Sequence, residues 1–113
     1  MNDKPSILLI GNDPPLEYLL ERYAHRGGYS LQSLHAVTPD VDICQMQPHS
    51  IWFSSLEALE ACQSQRNTIL ACNVPIVVCS SIADNARAMD LGADYLLLHP
   101  LTYDCFLRTI ALG

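Results

Sequence analysis

The sequence predicts a single doubly wound α/β domain, a parallel sheet with helices on both faces. Short apolar runs of strand length alternate along the chain with stretches of helical periodicity. Four of the five runs are apolar throughout, as strands covered on both faces are. The 113 residues, half of them hydrophobic and 16% charged, suffice for one domain with its own core, expected over 1–113.

The first run, Ile7-Leu8-Leu9-Ile10, ends at Gly11-Asn12-Asp13. Asn12 or Asp13 can cap a helix that starts with Pro14 and Pro15, because proline needs no amide partner in a first turn. Leu16, Leu19, Leu20 and Tyr23 recur at helical spacing until Gly27-Gly28 stops the helix. Tyr29 to Leu34 alternates apolar and polar residues, which suits a second strand near the sheet edge. Thr38 could cap a short helix with Pro39 at its first position, but Asp40, Asp42 and Pro48 keep it brief or irregular.

Ser50-Ile51-Trp52-Phe53 reads as a third, central strand, with Trp52 and Phe53 packing on opposite faces. A helix opens at Ser54-Ser55-Leu56-Glu57 and turns Leu56, Leu59 and Cys62 inward. Ser54-x-x-Glu57 matches a capping box, in which each side chain bonds the other residue's backbone amide. Pro75-Ile76-Val77-Val78-Cys79 is the clearest strand, β-branched and begun by proline. Ser80-Ser81, with Asp84, leads into a helix carrying Ile82, Ala86, Met89 and Leu91, closed by Gly92. Tyr95 to Leu98 is the fifth strand, His99-Pro100 follows, and Leu101 to Leu112 forms a last amphipathic helix.

A formal charge of −6 would repel phosphate backbones and anionic lipid surfaces, so neither nucleic acid nor a membrane is an expected partner. No apolar run approaches the roughly 18 residues of a membrane span and no signal pattern opens the chain, so the cytoplasm is the expected compartment. Five cysteines, odd in number and never spaced C-x-x-C, read as reduced thiols packed as small hydrophobes. The histidines share no spacing with a second ligand type. No metal site or cofactor is expected, and no nucleophile–base pair that would mark an enzyme is visible.

Taken in order, Ile7 to Pro14, Pro48 to Ser54, and Gly92-Ala93-Asp94-Tyr95 leading to His99-Pro100 resemble the receiver domains of two-component response regulators. The resemblance covers nearly the whole chain. It implies a flavodoxin-like three-layer fold with five strands in the order 2-1-3-4-5, and a site at the carboxyl ends of the strands. Family receivers accept a phosphoryl group on an aspartate after the third strand. Two acidic residues after the first strand hold magnesium, a Ser/Thr ends the fourth, and a lysine precedes the proline after the fifth.

Carried over residue by residue, that pocket is degenerate. The acidic pair falls on Gly11 and Asn12, with Asp13 the nearest remaining acid. The acceptor falls on Ser54, a weak nucleophile without an adjacent base. Ser80 keeps the hydroxyl, and His99 replaces the lysine. The family's switching aromatic falls on Leu96, with Tyr95 one place earlier on the opposite face of the strand. A cis His99–Pro100 peptide is also expected from the family.

The expectation is therefore a signalling module of the two-component or phosphorelay type that is not an enzyme. It would act by phosphorylation-independent contact with a protein partner, another domain of a signalling protein, or a second copy of itself. In family receivers, the fourth helix, fifth strand and fifth helix carry such contacts. Here Tyr95, Leu96, Tyr103, Phe106, Leu107 and Ile110 are the candidate face, because the last helix is more apolar than one buried side requires. A phosphorelay receiver with an atypical acceptor is one alternative. A flavodoxin-like domain binding a small molecule at the switch point is another, although Asn12-Asp13-Pro14-Pro15 removes amide donors that a phosphate would need.

Overall fold

The computed structural model describes residues 5–35, 45, 47–63, 66–80, 85–98 and 102–112. They form β1 (Ser6–Ile10), α1 (Pro14–Gly27), β2 (Ser30–Leu34), β3 (Ser50–Phe53), α2 (Leu56–Ala61), α3 (Arg66–Ala71), β4 (Ile76–Ser80), α4 (Asn85–Asp90), β5 (Tyr95–Leu98) and α5 (Tyr103–Leu112). The five strands make one sheet in the order β2-β1-β3-β4-β5, and every pair is parallel. This is the flavodoxin-like architecture and strand order that the sequence led us to expect.

Local chemistry sets the element ends. Asp13 caps α1, its carboxylate accepting from Leu16 N at 3.2 Å, and two prolines fill the first turn. At the other end Gly28 takes the left-handed conformation, φ 84°, which a residue with a Cβ adopts only at a cost. Between them Leu16, Leu20 and Ala24, spaced four apart, form the buried stripe. The start of β5 is fastened to β4 by a reciprocal pair. Ile76 N donates to Asp94 Oδ2 at 2.8 Å, and Asp94 N donates to Ile76 O at 2.8 Å. That pairing gives the Gly92-Ala93-Asp94-Tyr95 segment a structural task.

Alternation along the strands divides the core in two. Ile7, Leu9, Trp52, Val77 and Cys79 meet Leu16, Leu20 and Ala24 of α1 and Phe106 of α5. On the opposite face Leu8, Ile10, Ile51, Phe53, Ile76 and Val78 meet Leu59 and Cys62, Ile69 of α3, Ala88 of α4, and Ala93. Trp52 and Phe53 thus separate to the two faces as their adjacency on a strand requires. The first layer is notably aromatic. Phe106 lies 5.6 Å from Trp52, 5.7 Å from Tyr23 and 6.2 Å from both Tyr29 and Tyr103, between ring centroids. Arg26 of α1 rests 4.3 Å above the Tyr103 ring, tying the two helices together.

Several sequence expectations are corrected here. Phe106 is fully buried, and Tyr103, Leu107 and Ile110 pack against the same core, so the apolar excess of α5 serves the interior. Tyr95 packs toward the α1/α5 layer and Leu96 toward the other, so these two cannot share one outward face. The helix after β3 is two short helices, α2 and α3. In α4 the buried residue is Ala88, while Ala86 and Met89 face solvent, because a small side chain lets the helix approach the sheet. Cys62, Cys79 and Cys105 are in no disulfide, but Cys72 is disulfide-bonded. Such a bond requires proximity in space, which spacing along the chain does not reveal. Its Sγ, 3.5 Å from Thr68 O, therefore has no proton to donate to that carbonyl. The brief helix expected from Thr38, Ser81 with Asp84, Ile82, Leu101 and the His99–Pro100 peptide lie outside the described residues.

The two placements of aromatic side chains lead to unequal costs on truncation. Phe106→Ala should lower the unfolding free energy by about 3–5 kcal/mol. Tyr18→Ala, at a residue 63% exposed on α1, should change it by no more than about 0.5 kcal/mol. Urea denaturation followed by circular dichroism measures both.

Candidate functional site

At the carboxyl ends of the strands, β1 and β3 run side by side, with Ile10 opposite Phe53. The next residues, Gly11 and Ser54, are consequently neighbours. Gly11 N donates to Leu34 O at 2.9 Å on one side, and Ser54 N donates to Ile10 O at 3.0 Å on the other. Both backbones are fixed by the sheet. Ser80 closes β4 on the far side of β3. His99 lies outside the described residues.

The closest approach in this cleft is between Gly11 and Ser54. A Cβ on Gly11 would overlap Ser54 Oγ and stand 2.9 Å from Ser54 Cβ and 3.3 Å from Ala58 Cβ. Gly11 also has φ 132°, a conformation side chains rarely adopt. A carboxylate at this position is therefore excluded twice, by space and by backbone. Ser54 occupies the volume instead, and at 5% exposure it does not present its hydroxyl to solvent.

Ser54 is not the helix cap that its spacing to Glu57 suggested. Ser55 is the N-cap of α2, and its Oγ accepts from Ala58 N at 3.1 Å. The cap moves one residue because Ser54 still belongs to the β3 hydrogen-bond ladder. Asn12 is exposed, and Asp13 is half-buried with its carboxylate engaged at the head of α1. One carboxylate, a glycine and a buried hydroxyl do not fit magnesium, a hard ion that seeks several oxygen ligands. Among the described residues no three His, Cys, Asp or Glu side chains converge.

Cys79, near the end of β4, is a residue the sequence reading did not attach to this site. Burial pushes its thiol from 9.0 up to about 12, and the negative charge of Asp13 adds to the effect. A thiol held neutral in this way is a poor nucleophile. The only advance signal was its place at the end of an apolar strand.

No protein-family model and no curated protein matches the sequence. Solved structures do match the fold. A response regulator signal receiver domain from Bermanella marisrubri superposes with a TM-score of 0.76 at 22% identity, covering 96% of this chain and 97% of its own. The chain has the receiver fold. The chemotaxis protein CheY4 of Vibrio cholerae also gives 0.76, at 14% identity over 96% of this chain and 98% of its own. The BeF3-activated N-terminal receiver domain of Klebsiella pneumoniae RstA gives 0.76 at 16% identity, over 95% and 96%.

Two outcomes follow from the cleft. Gly11→Ala should destabilise by about 2–4 kcal/mol, and Ser54→Gly in the same chain should recover part of that loss, a coupling that a double-mutant cycle reads directly. Above pH 9 the unfolded chain releases the Cys79 proton while the folded chain retains it, so stability falls as pH rises. The span from 9.0 to about 12 corresponds to about 4 kcal/mol, lost progressively across that window. Urea midpoints at pH 7 and pH 10 should therefore diverge less in Cys79→Ala than in the wild type.

Proposed function

We propose that this chain is a receiver-like signalling module that works without phosphoryl transfer and is not an enzyme. The observation that carries the reading is the closure of Gly11 onto Ser54, which leaves no room for a carboxylate where a receiver would hold magnesium. Asp13 is engaged as a helix cap, and Ser54 is buried with no base hydrogen-bonded to its hydroxyl among the described residues. Fold alone does not assign a function, so the reading rests on this chemistry together with the receiver architecture.

Signalling then falls to contact with a protein partner or another domain of a signalling protein. Leu107, Ile110 and Tyr103 are committed to the core, so they offer such a contact only their outer edges. Met89 of α4, 39% exposed beside β5, is the better placed apolar side chain on that side. A shape that persists without a covalent switch suits a docking element with one standing conformation.

Incubation of the whole chain with acetyl phosphate and magnesium, followed by intact-mass spectrometry, tests the reading. The expected spectrum shows no phosphoryl increment. An increment that disappears in Ser54→Ala would instead establish an atypical acceptor and overturn the proposal.

A further inference from the structure

The opposite, amino-terminal end of the sheet carries a recess that a receiver reading leaves unused. It encloses about 270 Å³ on the α1/α5 side of the sheet. Trp52 and Val77 form its floor, and Tyr29 and Ile110 wall it. Among the described residues no Lys, Arg, Asp or Glu lines it, and His49 stands exposed at its rim. An apolar cavity of about 150 Å³ accommodates benzene, so this volume suits one substituted ring or two fused rings.

Two aliphatic hydroxyls, those of Ser50 and Thr109, join the Tyr29 phenol and the His49 imidazole as side-chain polar groups of its lining. Ser50, nine-tenths buried, accepts from the Trp52 indole Nε1–H at 2.8 Å. A hydroxyl used as an acceptor keeps its own proton to donate, and among the described residues that proton has no acceptor. Thr109 has the reverse arrangement. Its hydroxyl donates to Cys105 O at 2.8 Å, which leaves oxygen lone pairs to accept. Through Ser50 and Thr109 the recess therefore offers one donor and one acceptor between apolar walls, and among the described residues it holds no Lys, Arg, Asp or Glu.

We propose that this recess binds a small neutral aromatic molecule bearing a carboxamide or lactam group. Its carbonyl oxygen would accept from Ser50, and its N–H would donate to Thr109. Deep in the recess a charged ligand would lose its hydration with no Lys, Arg, Asp or Glu among the described lining residues to offset it, so the class proposed is neutral. The site is independent of the closed cleft at the other end of the sheet.

Benzamide is a suitable probe, followed by 1H–15N correlation spectra of the full chain. Trp52 is the chain's single tryptophan, so its indole N–H signal reports directly on the atom bonded to Ser50. We expect a saturable shift of that signal. Thr109→Val, at a half-buried position, should weaken benzamide binding about two- to tenfold by removing one hydrogen bond. Ile110→Trp should abolish binding by filling the recess. Absence of a saturable shift, equal binding by Thr109→Val, or binding of toluene as strong as that of benzamide would each overturn the proposal. Should Ile110→Trp not fold, Thr109→Val decides alone.

Discussion

The structure depends on a central strand that must be covered on both faces at once. β3 has a neighbour on either side, and all four of its residues are buried. Trp52 brings the largest ring of the chain into that setting together with one obligatory donor. A buried indole N–H without a partner would cost about 1–3 kcal/mol, and Ser50, two residues earlier on the same face, supplies the acceptor. From this pairing the rest of the layer is laid out. Phe106 packs on the indole, Tyr23 of α1 and Tyr103 of α5 pack on Phe106, and the small serine beside the indole leaves the recess at the strand's beginning.

Much of the fold was legible in the sequence because its strands are continuous apolar runs. Ser50 to Phe53 and Tyr95 to Leu98 were placed to the residue, and α1 was bracketed by Asn12 or Asp13 at one end and Gly27-Gly28 at the other, of which Asp13 and Gly28 are the caps. The strand order came from family resemblance, since apolar runs carry no record of their neighbours. Helix phase was harder to read. Met89 and Ala86 looked like core by hydropathy, but the smaller Ala88 lets α4 lie against the sheet. Phe106 was misread for a related reason: an apolar surplus on one helix has the same sequence signature whether a partner protein or the chain's own aromatic layer absorbs it.

The site was legible as a set of positions but not as a geometry. Gly11, Asn12, Asp13 and Ser54 could be placed after the first and third strands. Nothing in their identities showed that Gly11 and Ser54 approach so closely that a side chain at Gly11 has no room beside Ser54. The cap at Ser55 was missed by one residue because Ser-Ser offers two equivalent hydroxyls, and the sheet ladder selects between them. The neutral Cys79 thiol likewise depends on Asp13 and on burial, and both are tertiary facts.

The ring-to-ring chain from Tyr23 and Tyr103 through Phe106 to Trp52 also has a photophysical consequence. Phenols excited one intervening ring away from a lone indole hand much of their energy to it instead of emitting. The tryptophan emission then reads out how closely α1 and α5 are seated on the sheet. Any event that lifts either helix would be visible as light returning from the tyrosines, with no label added to the chain.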